Sequence, residues 1–158
     1  MDKNSFRIVY MGTPDFAVEP LKKLIENNYN IVGVITNPDK PAGRGQKLQE
    51  SAVKKYALRQ NINILQPEKF RDEEFLTKLK KMDADLQIVV AFKMLPEVVW
   101  SMPSKGTFNL HASLLPHYRG AAPINWAIIN GDNKTGVSTF FLQKDIDTGN
   151  IIFQEEIL

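Results

Sequence analysis

Two side chains in the second half of the chain have the types and spacing to do chemistry. Asn109 and His111 are separated by one residue, so on a strand they share a face, roughly 7 Å apart. Asn109 offers a neutral amide donor, and His111 an imidazole that donates or accepts near neutral pH. Asp147, before Thr148-Gly149, adds a carboxylate from a later connection. Plainer roles compete: His111 as a hydrogen-bonded structural residue, and Asp147 as a turn residue satisfying its own backbone. Two polar groups on one face of an apolar strand would need partners if buried, which weakens the structural alternative for the pair.

The elements that must position these groups follow from hydrophobic period. Residues 7–11 form a short apolar run that reads as a buried strand, residues 16–27 carry apolar side chains at helical spacing with Asp15 as the expected N-cap, and residues 31–36 read as a second buried strand. Strand, helix, strand in about 30 residues implies a parallel sheet with a right-handed crossover. Helices are expected over 52–60, capped by Ser51, and over 72–81, with Phe75, Leu76 and Leu79 inward and Lys78, Lys80 and Lys81 outward. Strands are expected over 63–65 and 86–91, and a short helix over 96–101. The strand bearing Asn109 and His111 ends in an irregular loop, where open α/β sheets place their sites. A helix over 123–130, with Ile124, Ala127 and Ile128 on one face, precedes β-rich segments 137–142 and 151–158, joined by 143–150 as a hairpin. The expected class is α/β: an open, mostly parallel Rossmann-like sheet, helices on both faces, ending in a β-hairpin, over residues 1–158.

The first turn, Gly12-Thr13-Pro14-Asp15, has one glycine where a dinucleotide fingerprint needs three, so dinucleotide binding is not expected. Residues 37–50 contain two prolines and two glycines, which argue against regular structure, and a connection of this length is functional or disordered as a rule. Lys40, Arg44 and Lys47 against Asp39 and Glu50 give it a slightly basic cast, which fits a solvated loop with incidental charge first and a loop that tracks phosphates second.

Composition narrows the classes. The 158 residues are 43% hydrophobic and 24% charged, as in a globular domain with a real core. A net charge of +2 gives no argument for nucleic acid by bulk attraction. With no cysteine there is no disulfide, thiol nucleophile or thiolate metal site, and two histidines do not make the usual zinc site, so no metal is expected. No apolar run approaches the ~20 residues of a membrane span, and the first residues lack a signal peptide's apolar region, so the cytoplasm is the expected location.

The run Asn109-Leu110-His111-Ala112-Ser113-Leu114-Leu115-Pro116, then Arg119-Gly120-Ala121-Ala122-Pro123-Ile124 and Asp147-Thr148-Gly149, resembles the signature of the folate-dependent formyltransferases. With Met11-Gly12-Thr13-Pro14-Asp15-Phe16-Ala17 and Pro38-Asp39-Lys40-Pro41-Ala42-Gly43-Arg44-Gly45, the resemblance narrows to the members that formylate methionyl-tRNA, and it runs over nearly the whole chain. It implies 10-formyltetrahydrofolate as donor, initiator methionyl-tRNA as acceptor, a monomer, and no metal. It implies Asn109 and His111 as oxyanion donors and Asp147 against His111, orienting it or taking the amine proton through a water. It places Ser113, Leu114, Leu115 and Pro116, with the loop of Phe92 and Met94, at the folate. Where the family more often has Tyr-Gly, this chain has Phe92-Lys93, so backbone contacts are expected to carry that loop's role. Phe16 would lie near the methionyl side chain, and Lys40, Arg44 and Lys47 at the tRNA. Family members continue into a β-barrel domain, so this chain is expected to be an N-terminal catalytic portion of a longer protein. Two alternatives stand beside this: a formyltransferase acting on glycinamide ribonucleotide or a sugar amine, against which the long basic loop and the lack of a glycine-rich phosphate loop count, and a non-catalytic folate- or tRNA-binding module.

Overall fold

The computed structural model describes residues 2–42, 47–143 and 150–157. The chain divides into two compact units, Met1–Gly106 and Thr107–Leu158.

In the first unit the strands are β1 (Arg7–Gly12), β2 (Asn30–Ile35), β5 (Ile64–Leu65) and β6 (Leu86–Val90), in the order β5-β2-β1-β6. All three pairings are parallel. β1 is the centre: Ile8, Val9, Tyr10 and Met11 are buried, which explains why it reads as a continuous apolar run rather than an alternating one. Its start is pinned by Arg7, whose guanidinium donates to the carbonyl of Met82 at 2.7 Å and whose N–H donates to the Asp85 carboxylate at 2.8 Å.

The helices are α1 (Val18–Glu26), α2 (Ala52–Arg59), α3 (Glu73–Lys81) and α4 (Glu97–Trp100). Two caps form as the residue types require: Ser51 Oγ accepts from Lys54 N at 3.0 Å, and Asp72 Oδ2 from Phe75 N at 3.1 Å. On α3, Phe75 and Leu79 are buried and the three lysines exposed, as expected. The expected Asp15 cap does not form. The chain first makes a 3-10 turn, Asp15–Ala17, closed by Ala17 N donating to Pro14 O at 2.9 Å, and α1 begins without a side-chain cap. The turn satisfies the backbone instead, and leaves Asp15 near the positive end of the helix dipole.

Residues 37–50 also depart from expectation. They contain a two-stranded antiparallel ribbon, β3 (Lys40–Ala42) and β4 (Lys47–Gln49), with Pro41 opposite Leu48. A two-stranded ribbon has an open edge on each strand, so a proline's missing N–H can point outward at no cost to the ladder.

In the second unit β7 (Thr107–His111), β8 (Thr135–Phe141) and β9 (Ile151–Ile157) are antiparallel neighbours, with β8 central. The expected final hairpin is therefore present. α5 (Pro123–Ile129) starts with its proline in the first turn, as predicted. Its expected inward face is not formed: Ala127 is buried, but Ile124 and Ile128 are 41% and 73% exposed. Apolar period marks a buried face only where another element covers it. The strand pairings match the expected class: mostly parallel, Rossmann-like, closing in an antiparallel hairpin. Among the described residues, no helix is long and apolar enough to cross a membrane.

Candidate active site

In the second unit, β7 delivers Asn109 and His111 to one face at its carboxyl end, opposite Phe140 and Ser138 of β8. Asn109 is half-buried and His111 is buried. The imidazole meets Phe140 edge-on, with centroids 6.5 Å apart. His111 Nε2 lies 2.8 Å from the carbonyl oxygen of Tyr118. A carbonyl can only accept, so Nε2 carries the proton in either charge state of the ring. Nδ1 is then the atom left for chemistry: a lone pair when the ring is neutral, a donor when it is charged.

The loop after β7 is built to hold that contact. Ser113 is buried and its Oγ donates to His117 O at 2.6 Å. Ser138 Oγ donates to Ser113 O at 2.6 Å and accepts from Leu115 N at 3.1 Å and Gln154 Nε2 at 2.8 Å. Gln154 Nε2 also donates to Leu115 O at 2.9 Å. The Leu115–Pro116 peptide is cis, and Tyr118 sits at φ +54°. Leu115 is buried, Leu114 half-buried and Pro116 exposed. Gly136 is required here: a Cβ would strike the carbonyl of Glu155 and stand 2.5 Å from Leu114 Cδ2. Of the expected folate wall, the Ser113 hydroxyl is committed to the loop itself. Leu114, Leu115 and the exposed Pro116 remain to present carbon and backbone.

Sequence reasoning did not find Tyr118, Ser138 and Gln154. One signal existed for Ser138, a small polar residue at a buried position of the alternating strand β8. Nothing marked the Tyr118 carbonyl, since backbone groups leave no trace in residue type. The Tyr118 phenol donates to Asp132 Oδ2 at 2.5 Å and accepts from Asn130 Nδ2 at 2.9 Å. The Asp132 carboxylate raises its pKa above the ordinary phenol range.

In the first unit, the 3-10 turn after β1 carries Phe16, 38% exposed, and the loop after β6 carries Phe92 and Met94. Gly12 of β1 pairs with Val90 of β6, so these residues leave the sheet at the same end. Phe92 is half-buried against the edge of Phe70, with centroids 5.8 Å apart, and Met94 is 72% exposed. Lys40 and Lys47 are exposed on the ribbon. The ribbon's approach is latched by Asp39, which takes Lys54 Nζ at 2.5 Å and Gln66 Nε2 at 2.8 Å. The Lys54 hydrogen bond holds the Asp39 carboxyl below its usual range, and the bond to Asp39 raises Lys54 in turn. A separate cleft of 410 Å³ beside α3, lined by Gln66, Asp72, Phe75 and Lys78 among others, contains no residue expected from the sequence. Arg44 and Asp147 lie outside the described residues.

Residues 6–158 match the family model described as formyl transferase. The chain belongs to the formyl transferase family. A methionyl-tRNA formyltransferase of Bacteroides thetaiotaomicron is 69% identical over 157 residues, covering 99% of this chain and 49% of the relative. The chain thus spans about half the length of the curated relatives it matches. Phosphoribosylglycinamide formyltransferase of Streptococcus pneumoniae has the same fold, with a TM-score of 0.77 at 18% identity over 96% of this chain and 82% of that one. A sugar 3N-formyl transferase, crystallised with dTDP and 5-N-formyl-THF, aligns with a TM-score of 0.65 at 26% identity over 96% of this chain and 52% of that one. This formyl transferase chain accordingly has its family's fold over nearly its full length.

Proposed function

We propose that the protein carrying this chain transfers the formyl group of 10-formyltetrahydrofolate to the α-amino group of methionyl initiator tRNA in the cytoplasm, this chain being an N-terminal catalytic portion. What supports it most is the 69% identity, across 157 residues, to a relative of that name. Asn109 and His111, presented together at the end of β7, are consistent with it.

In this reading the amine attacks the formyl carbon. A C–N bond forms, the carbonyl oxygen gains negative charge, and collapse of the tetrahedral intermediate breaks the bond to N10, which takes a proton as the amine loses one. The Asn109 amide donates to the oxyanion. His111 can join it only from Nδ1, and so only as imidazolium, because Tyr118 holds Nε2. Asp147 orients the ring or takes the amine proton through a water. Ser113, Leu114, Leu115, Pro116, Phe92 and Met94 line the folate, Phe16 meets the methionyl side chain, and Lys40, Arg44 and Lys47 track tRNA phosphates.

In the full-length protein, Asn109→Ala and Asp147→Ala are each expected to cut kcat about a hundredfold or more, with unchanged melting temperature. Near-normal turnover would remove those roles. Offering methionyl-tRNA, glycinamide ribonucleotide and an amino sugar with labelled donor decides the acceptor; label on either of the last two alone would replace this reading.

A further inference from the structure

The carboxyl end of α5 is closed by its own backbone. Gly131, at φ +69°, takes the left-handed conformation just past the helix. Gly131 N donates to Ile128 O and Asp132 N to Ala127 O, each at 3.0 Å. This pair of bonds is the glycine-dependent ending in which the last turn satisfies its own carbonyls. It fixes the backbone from which the side chains of Asn130 and Asp132 start. Both reach back to one atom: the Tyr118 phenol donates to Asp132 Oδ2 at 2.5 Å and accepts from Asn130 Nδ2 at 2.9 Å. Asn130 and Asp132 are exposed, where a lone hydrogen bond between flexible chains holds little. Here the two act on one oxygen from a closed helix end, and one of them is a charged acceptor, which makes the stronger and shorter kind of bond.

Tyr118 needs such a hold. Its φ of +54° lies in the left-handed region that bulky side chains rarely adopt, and a residue stays there only when its surroundings over-determine it. The peptide entering Tyr118 is held by Ser113 Oγ, which donates to His117 O at 2.6 Å. The peptide leaving it carries the carbonyl that His111 Nε2 meets at 2.8 Å, and the anchored phenol constrains that peptide. In a neutral ring this contact selects the tautomer; in a charged ring it sets the direction of Nδ1–H. The whole route from α5 to the imidazole lies in the second unit.

We propose that Asn130 and Asp132 are positioning residues for His111: by gripping the Tyr118 phenol they aim the Tyr118 carbonyl at Nε2, keep the proton there and leave Nδ1 for the reaction. The use of Nδ1 in catalysis rests on the formyl-transfer reading above; the selection of the tautomer does not. Removing the grip frees the carbonyl without deleting it. The neutral ring then divides between its two tautomers, and the charged ring loses its fixed direction. Substrate binding does not pass through the phenol, so the loss falls on turnover.

The test compares Tyr118→Phe, Asp132→Ala and Asp132→Asn in the full-length protein. With histidines labelled by ¹⁵N and the pH above the histidine range, the His111 ring signals are assigned by their loss in His111→Gln. The unsubstituted protein is expected to show an unprotonated Nδ1 and a protonated Nε2. In Tyr118→Phe and Asp132→Ala the two resonances are expected to move toward each other as the tautomers mix, while Asp132→Asn, which keeps an accepting oxygen, holds the original pair. Steady-state formylation is expected to show kcat lowered about tenfold in Tyr118→Phe and Asp132→Ala, with both KM values and all of Asp132→Asn within about twofold of normal. An unchanged tautomer in Tyr118→Phe and Asp132→Ala would overturn the proposal, as would a change confined to their melting temperatures. If the unsubstituted protein does not formylate methionyl-tRNA, the formyl-transfer reading has failed, and the ring signals still decide whether Asn130 and Asp132 position His111.

Discussion

Single atoms decide which groups here are free to act. Tyr118 O takes the Nε2 proton of His111 and so determines which ring nitrogen can serve a substrate. Tyr10 is the opposite case, a polar atom wholly used by the fold. Its phenol is buried and donates to Ala17 O at 2.6 Å, holding the 3-10 turn under Phe16. Burial pushes its pKa far above the ordinary phenol range. The native phenol therefore stays neutral at pH values where the unfolded one ionises. Its contribution to stability is complete below pH 10 and is lost progressively above it. Tyr10→Phe removes this buried hydrogen bond to the Ala17 carbonyl and is expected to lower unfolding free energy by about 0.5–1.5 kcal/mol at neutral pH. Denaturant melts of the variant should also lose part of the decline seen above pH 10.

At the scale of elements, the loop after β7 owes its shape to strands that follow it. Ser138 uses its one proton and both lone pairs on that loop and on Gln154. Ser138→Ala would leave Leu115 N and Ser113 O without that partner, and is expected to cost about 2–4 kcal/mol. Because the same loop carries Tyr118, kcat should fall in the folded variant as well, which single-turnover measurement below the melting transition would detect. Retained kcat would mean that the His111 contact survives without the brace. Elements set by local rules were readable beforehand: the cap at Ser51, the buried run of β1, the proline at the start of α5. The ribbon of β3 and β4 was not, because proline and glycine statistics report what a backbone avoids in isolation, not what an open edge tolerates.

At the scale of the whole molecule, the proposed function would assign the basic ribbon to the large acceptor and the strand-end loops to the reacting groups. Lys40 and Lys47 are exposed on the ribbon, and its base is latched through Asp39, Lys54 and Gln66. If Arg44 contacts tRNA phosphates, Arg44→Ala should raise KM for methionyl-tRNA about tenfold and lessen its salt dependence, while sparing slow hydrolysis of the folate donor. An equal loss in both reactions would move Arg44 away from the tRNA.

The order of residue types along the chain determined the parallel βαβ framework, the strand that carries Asn109 and His111, and the family. These follow from hydrophobic period and from side chains a fixed number of residues apart, both local properties. Tertiary structure alone decided the rest: that His111 gives Nε2 to a backbone carbonyl, and that Ser113 spends its hydroxyl on its own loop. Each depends on which backbone oxygen or neighbouring strand stands within about 3 Å, the reach of a hydrogen bond. Contacts of that kind are made between segments distant in sequence, by atoms every residue shares.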